Sequence, residues 1–178
     1  MEKEEYAIVL DYLPHGYPLE GKMMSLAQAI GETTLVLLEL IPRRGESLEV
    51  GEKVYIGEGK RDKIYYILGR LKKDKITERA KEEIEKVVKG IVEANQKRFV
   101  DFFNKAEPIN KRIHQIELLP GIGKKYVKEI IEKRKDGEFG SFEDMKKRIP
   151  SLPFPEKAIE RRIVQELIED ERHKLFTR

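Results

Sequence analysis

The residues in this chain best suited to chemistry form one short run, Leu119-Pro120-Gly121-Ile122-Gly123-Lys124-Lys125, with Lys128 just beyond. Two glycines let the backbone turn tightly and let a second backbone approach closely. Ile122 between them can point inward and pin the turn to a core. A helix starting after Gly123 would present its unpaired N–H groups and its positive end outward. Such amides, flanked by lysines, suit a phosphate. The run therefore predicts phosphate contacts from Gly121, Ile122, Gly123, Lys124, Lys125 and Lys128. The competing reading is a structural helix turn whose lysines are merely solvated.

Other chemistries find little support. There is no Cys, which removes disulfides, thiolate metal sites and Cys nucleophiles. Three scattered histidines (His15, His114, His173) argue against a His-based zinc site. No Ser-His-Asp order, paired-carboxylate signature or Walker loop stands out. The expectation is a non-enzyme without a cofactor. No stretch approaches the roughly 20 apolar residues of a membrane span. The start Met1-Glu2-Lys3-Glu4-Glu5 is unlike a signal peptide. A soluble cytoplasmic protein without membrane partners is expected.

Charge is dense but nearly balanced: 39% of the 178 residues are charged, for a net of +3. The usual share is about 25%. That density, with no Cys, fits a reducing cytosol or a hyperthermophile. Residues 1–70 hold 9 basic and 12 acidic residues, whereas residues 109–178 hold 17 and 13. An anionic partner is therefore sought toward the C-terminus.

The elements that must position the run read as follows. Tyr6 to Leu13 is rich in β-formers and stops at Pro14-His15-Gly16-Tyr17-Pro18, a turn signal. Ser25 to Ile30 and Thr33 to Ile41 follow, split by Gly31-Glu32, which suggests a hairpin. Leu35 to Leu38 is continuously apolar, as in a strand buried on both faces. Val54 to Ile56 and Ile64 to Leu71 complete five short strands. Five strands in about 70 residues favour a small closed or partly closed barrel of OB-like or S1-like kind, because closure removes exposed edges. Thr77 is the expected cap of one long helix, with an apolar stripe from Ala80 to Phe103 and a bend at Gly90. Asn104 to Pro108 ends it. A short helix holding Ile113, Ile116 and Leu119 precedes the glycine turn. The expected fold is α+β, with a β-barrel over 1–72, a connecting helix over 73–108 and a helical domain over 109–178.

Two basic pairs, Arg43-Arg44 and Lys60-Arg61, fall on inter-strand loops and are candidates for secondary nucleic-acid contacts. Asp11, Tyr12, His15 and Tyr17 form a polar-aromatic cluster, read mainly as an ordinary loop at the barrel rim. The acidic balance of the first 70 residues leaves a protein partner as the other candidate for this domain.

The stretch from Arg112 to Ile131 resembles the helix-hairpin-helix motif of non-sequence-specific DNA-binding proteins. That pattern is apolar–Pro–Gly–apolar–Gly followed by a helix, and Leu119 to Lys124 matches it closely. Val127 stands where the motif usually has Ala. In relatives the hairpin carbonyls hold a monovalent cation, which the resemblance would carry onto Glu117, Leu119 and Ile122. Arg134 to Met145 looks like the linker of tandem hairpins, with Ser141 as cap and Asp144 as box acid. Where a second glycine turn should lie the chain reads Ile149-Pro150-Ser151-Leu152-Pro153-Phe154-Pro155. This second hairpin is expected to bind phosphate poorly. The whole order also resembles an archaeal family designated domain-of-unknown-function family 655. That resemblance implies nucleic-acid binding, RNA or DNA, in a setting close to ribosomal and RNA processes. The alternative is a protein-interaction adaptor with a structural hairpin.

Overall fold

A computed structural model describes residues 3–21 and 24–178. It has five strands: β1 (Tyr6–Leu13), β2 (Leu26–Gly31), β3 (Leu37–Pro42), β4 (Lys53–Tyr55) and β5 (Ile64–Arg70). Five α-helices follow: α1 (Glu78–Ala94), α2 (Gln96–Lys105), α3 (Lys124–Arg134), α4 (Phe142–Arg148) and α5 (Pro155–Ile168). Short 3-10 turns lie at Lys73–Lys75 and Gln115–Leu118. The fold is α+β. Residues 1–87 with 166–178 make one compact unit, and residues 88–165 make another.

In the first unit every strand pairing is antiparallel, in the order β4-β1-β2-β3-β5. No β4–β5 ladder closes the sheet among the described residues, so the strands form an open, curled half-barrel. Bulges supply the bending, since an extra residue in one strand kinks it and raises its twist. One lies at Leu10 in β1, and two lie at Tyr65 and Leu68 in β5, each skipped by the register. The inner face carries Ala7, Val9, Ala27, Ala29, Leu40, Val54 and Ile64, with Leu48 and Ile56 from the flanking segments. Three alanines at its centre leave room for the sheet to curl.

The Leu10 bulge also changes which way Asp11 points. It brings Asp11 level with Gln28, which the regular β2–β3 register already sets level with Glu39. All three are almost fully buried. Gln28 donates to the Lys75 carbonyl (2.7 Å) and accepts from the Thr77 N–H (3.1 Å), as a strand backbone would. The Thr77 hydroxyl donates to Asp11 (2.6 Å) and accepts from the Ala80 N–H (3.1 Å), capping α1 as expected. Tyr17 donates to Glu39 at 2.6 Å. Burial, then this bond to Glu39, pushes the Tyr17 phenol well above its ordinary value.

Three expectations change in detail. Leu35 is not in a strand: it takes φ +59 in the turn from Gly31 to Val36, and β3 begins at Leu37. The strand buried on both faces is β2 instead. The long helix is two helices, broken at Asn95, and Gly90 lies inside α1 without ending it. Asn95 leaves helical geometry (φ −129, ψ 44), and its amide donates to the Ile91 carbonyl at 2.8 Å. An Asn side chain competes with the helical ladder in this way.

The first unit ends on a contact with no sequence signal. Glu166, 1% exposed, accepts from the N–H groups of Leu175, Phe176 and Thr177 and from the Thr177 hydroxyl. A buried carboxylate is tolerated because donors surround it.

Replacing Gln28 with Leu would orphan the Lys75 carbonyl and the Thr77 N–H together. The expected cost is about 2 kcal/mol, read from denaturant midpoints. A change within experimental error would mean that water already serves these groups.

Candidate nucleic-acid interface

The glycine turn lies in the second unit. His114 precedes the Gln115–Leu118 turn and caps it: its Nδ1 accepts from the Ile116 N–H (3.1 Å), and Glu117 accepts from the His114 N–H (3.3 Å). The expected short helix is thus a 3-10 turn. The Ile122 N–H then bonds the Leu119 carbonyl at 3.1 Å, closing the turn. Of the three carbonyls named for a cation, Leu119's is thereby engaged. Ile116, Leu119, Ile122, Val127 and Ile130 are all buried, so the turn is pinned from both sides.

The two glycines have different reasons to be glycine. Gly121 takes φ +84, where an L side chain is strained. Gly123 has ordinary extended geometry (φ −86, ψ −179), and a Cβ there would meet nothing within 4 Å. Nothing inside the chain requires it. Gly123 is the N-cap of α3, and with no side chain it cannot cap. The first-turn amides of Lys124, Lys125 and Tyr126 therefore have no intrahelical partner. Lys124, Lys125 and Lys128 are exposed and, among the described residues, have no carboxylate at ion-pair distance. All six residues expected to contact phosphate lie on this turn and the first two turns of α3.

The segment from Ile149 to Leu152, where the second hairpin is expected, repeats the turn without the opening. The Leu152 N–H bonds the Ile149 carbonyl at 3.0 Å, as Ile122 bonds Leu119. Ser151 stands where Gly121 stood, yet its φ is not positive. Pro155, which has no N–H, begins α5, and Glu156 occupies its first turn. Two donors close over this loop: Tyr126 to the Ser151 carbonyl (2.8 Å) and Lys146 to the Leu152 carbonyl (2.5 Å). Ser141 caps α4 through the Asp144 N–H (2.9 Å), and Asp144 returns a bond to the Gly140 N–H (3.0 Å).

The residues that tie these helix ends together carry no signal in the sequence. Arg134 donates to the Phe103 and Ala106 carbonyls, closing the end of α2. Arg148 donates to the carbonyls of Lys133, Gly137 and Glu138, and its guanidinium lies 4.4 Å over the Phe139 ring. An arginine in a helical run carries no periodic signal of such a role. His114 was visible only as a lone histidine.

The basic pairs of the first unit are brought together. The Arg43 N–H bonds the Lys63 carbonyl (2.7 Å), and Arg43 Nε donates to the Arg61 carbonyl (2.7 Å). Arg61 Nε donates in turn to the Gly57 carbonyl at 2.8 Å. Arg43, Arg44 and Lys60 are exposed, and Arg61 is half-buried. The cluster of Asp11, Tyr12, His15 and Tyr17 is not one site. Asp11 and Tyr17 join the buried row under α1, while Tyr12 packs toward the inner core.

His114 accepts the Ile116 N–H only as a neutral imidazole. Burial, helped by the Arg134 guanidinium, holds it below its ordinary value of about 6.5. Its contribution is therefore complete above that pH and is lost as pH falls through the lowered folded-state value. Asn at this position keeps a cap acceptor without titrating. Between pH 7 and 5, wild-type stability should fall more steeply than that of His114→Asn. Parallel denaturation curves would remove the proton from this cap.

Known proteins agree with this architecture. The family described as "Protein of unknown function (DUF655)" matches residues 3–178. The Uncharacterized protein MJ0038 of Methanocaldococcus jannaschii is 44% identical over 173 residues, covering 97% of this chain and 78% of its own length. The crystal structure of Af1531 from Archaeoglobus fulgidus is similar at 43% identity and a TM-score of 0.85. It covers 98% of this chain and 100% of its own. The chain belongs to the DUF655 family.

Proposed function

We propose that this member of the DUF655 family binds the sugar-phosphate backbone of nucleic acid, with little sequence specificity, through the Gly121–Lys128 hairpin. Gly123 carries the reading. A glycine that its own chain does not need, at an uncapped helix end beside three unpaired lysines, leaves space over the free amides. A phosphate oxygen fills such a space and accepts from such amides. We read the segment as a helix-hairpin-helix and its Ser151-containing repeat as a packing partner. The curled five-stranded sheet is read as an OB-like half-barrel. Amides and lysines contact phosphate and leave base edges unread, so specificity is low.

With roughly four phosphates neutralised, log affinity should fall with log salt at a slope of about −3 to −4. Each Lys→Ala change at 124, 125 or 128 should flatten that slope by about 1. A salt-independent affinity would exclude phosphate as the ligand, and no binding at low salt would favour a protein-interaction adaptor.

Gly123→Ser separates binding from folding. Ser is the better N-cap by a few tenths of a kcal/mol, so the variant should be slightly more stable. Its hydroxyl takes the amides that the phosphate needs, and affinity should drop severalfold. A Ser variant that binds as well as wild type would remove Gly123 from the interface. Ser151→Ala is the control, with unchanged affinity expected.

A further inference from the structure

The open edge of the sheet carries side chains that its own fold does not use. Edge strand β5 has two bulges in seven residues, and the skipped residues are Tyr65 and Leu68. Both face solvent, at 62% and 47% exposure. Bulges at an edge discourage pairing with another chain. That purpose is served as well by Lys or Glu at the skipped positions, and an exposed Tyr and Leu need another reason. A bulge also re-aims a side chain.

Position and charge supply that reason. Ile64 pairs with Pro42, so Tyr65 sits at the end of β5 where the Arg43-Arg44 loop meets the Lys60-Arg61 loop. Tyr66 packs edge-to-face against it, with ring centroids 5.3 Å apart at 73°. This steadies the Tyr65 ring while leaving it exposed. The surrounding charge is also sorted. Glu58 is paired with Lys3 and Lys63 with Glu52. Arg43, Arg44, Lys60 and Arg61 have no carboxylate at ion-pair distance among the described residues. The two loops, residues 43–52 and 56–63, hold five basic and five acidic residues, with Glu46 and Glu49 near Lys63. What they offer beside Tyr65 is therefore four cations outside ion pairs and not a net positive charge.

We infer that this edge is a second nucleic-acid site, one that takes a single strand by stacking an unpaired base on Tyr65. Arg43, Arg44 and Lys60 hold the adjoining phosphates, and Leu68 extends the apolar strip along β5. An exposed ring flanked by cations suits a base and its phosphates together. A duplex offers the ring no free base face, so single strands are the substrate class. The inference rests on the reading of this chain as a nucleic-acid binder, and it adds base contact to a protein that otherwise touches backbone.

The test uses the full chain with a fluorescent 12-nucleotide oligouridylate and a matched strand lacking its bases. Both carry the same phosphates. Wild type should bind the base-bearing strand about fivefold or more tightly, the low end of one stacked base. Tyr65→Ala should abolish the preference while leaving affinity for the abasic strand unchanged, and Tyr65→Phe should restore it. Tyr65 is largely exposed, so these variants should stay folded. Gly123→Ser should weaken both strands alike and keep their ratio. Equal wild-type binding of the two strands, or a preference surviving Tyr65→Ala, overturns the inference while the hairpin proposal stands. No binding of either strand overturns both.

Discussion

The side-chain amide of Gln28 acts as a piece of backbone inside the sheet unit. It sits in the middle strand with no exposure. Its donor and acceptor serve the Lys75 carbonyl and the Thr77 N–H, which sheet and helix both leave unpaired. Thr77 spends its hydroxyl on Asp11 and on the first turn of α1. The start of α1 is therefore fixed by three neighbouring strands and not by helix propensity. Without such pairing, a buried row of Asp, Gln and Glu would be too costly to keep. The Leu10 bulge is what makes the row, since without it Asp11 would face the apolar interior.

In the helical unit, arginines do comparable work from the surface. Arg134 and Arg148 each gather carbonyls from segments that end helices, where four acceptors are left over. A guanidinium can serve several carbonyls at once because its donors are fixed in a fork. These contacts close the ends of α2 and α3 with side chains while leaving the start of α3 uncapped. Two segments share one turn, Leu119 to Ile122 and Ile149 to Leu152. They differ in what covers it: open space at Gly123, and Tyr126 with Lys146 over the second. One scaffold has thus been left open once and closed once.

The sequence by itself determined the local features whose physics is local. Alternating and apolar runs placed four of the five strands within a residue or two, and β3 with a start four residues early. Thr77 and Ser141 are recognisable caps, and the Gly-Ile-Gly run is readable as a tight turn at the start of a helix. Those signals need only neighbours along the chain.

Tertiary structure decided everything that depends on register or on distant donors. The sheet stays open because β4 and β5 do not pair among the described residues, and no composition rule reports that. Bulges at Leu10, Tyr65 and Leu68 shift which face a residue meets, and a one-residue slip is invisible to a period-two pattern. Asn95 breaks the helix because its amide reaches a carbonyl one turn back. Glu166 and Arg148 carry no signal in the sequence because their partners lie in other segments. Only when the chain is folded do Arg43 and Arg61 share a loop junction beside Tyr65, since their meeting depends on the β3–β5 ladder that joins them.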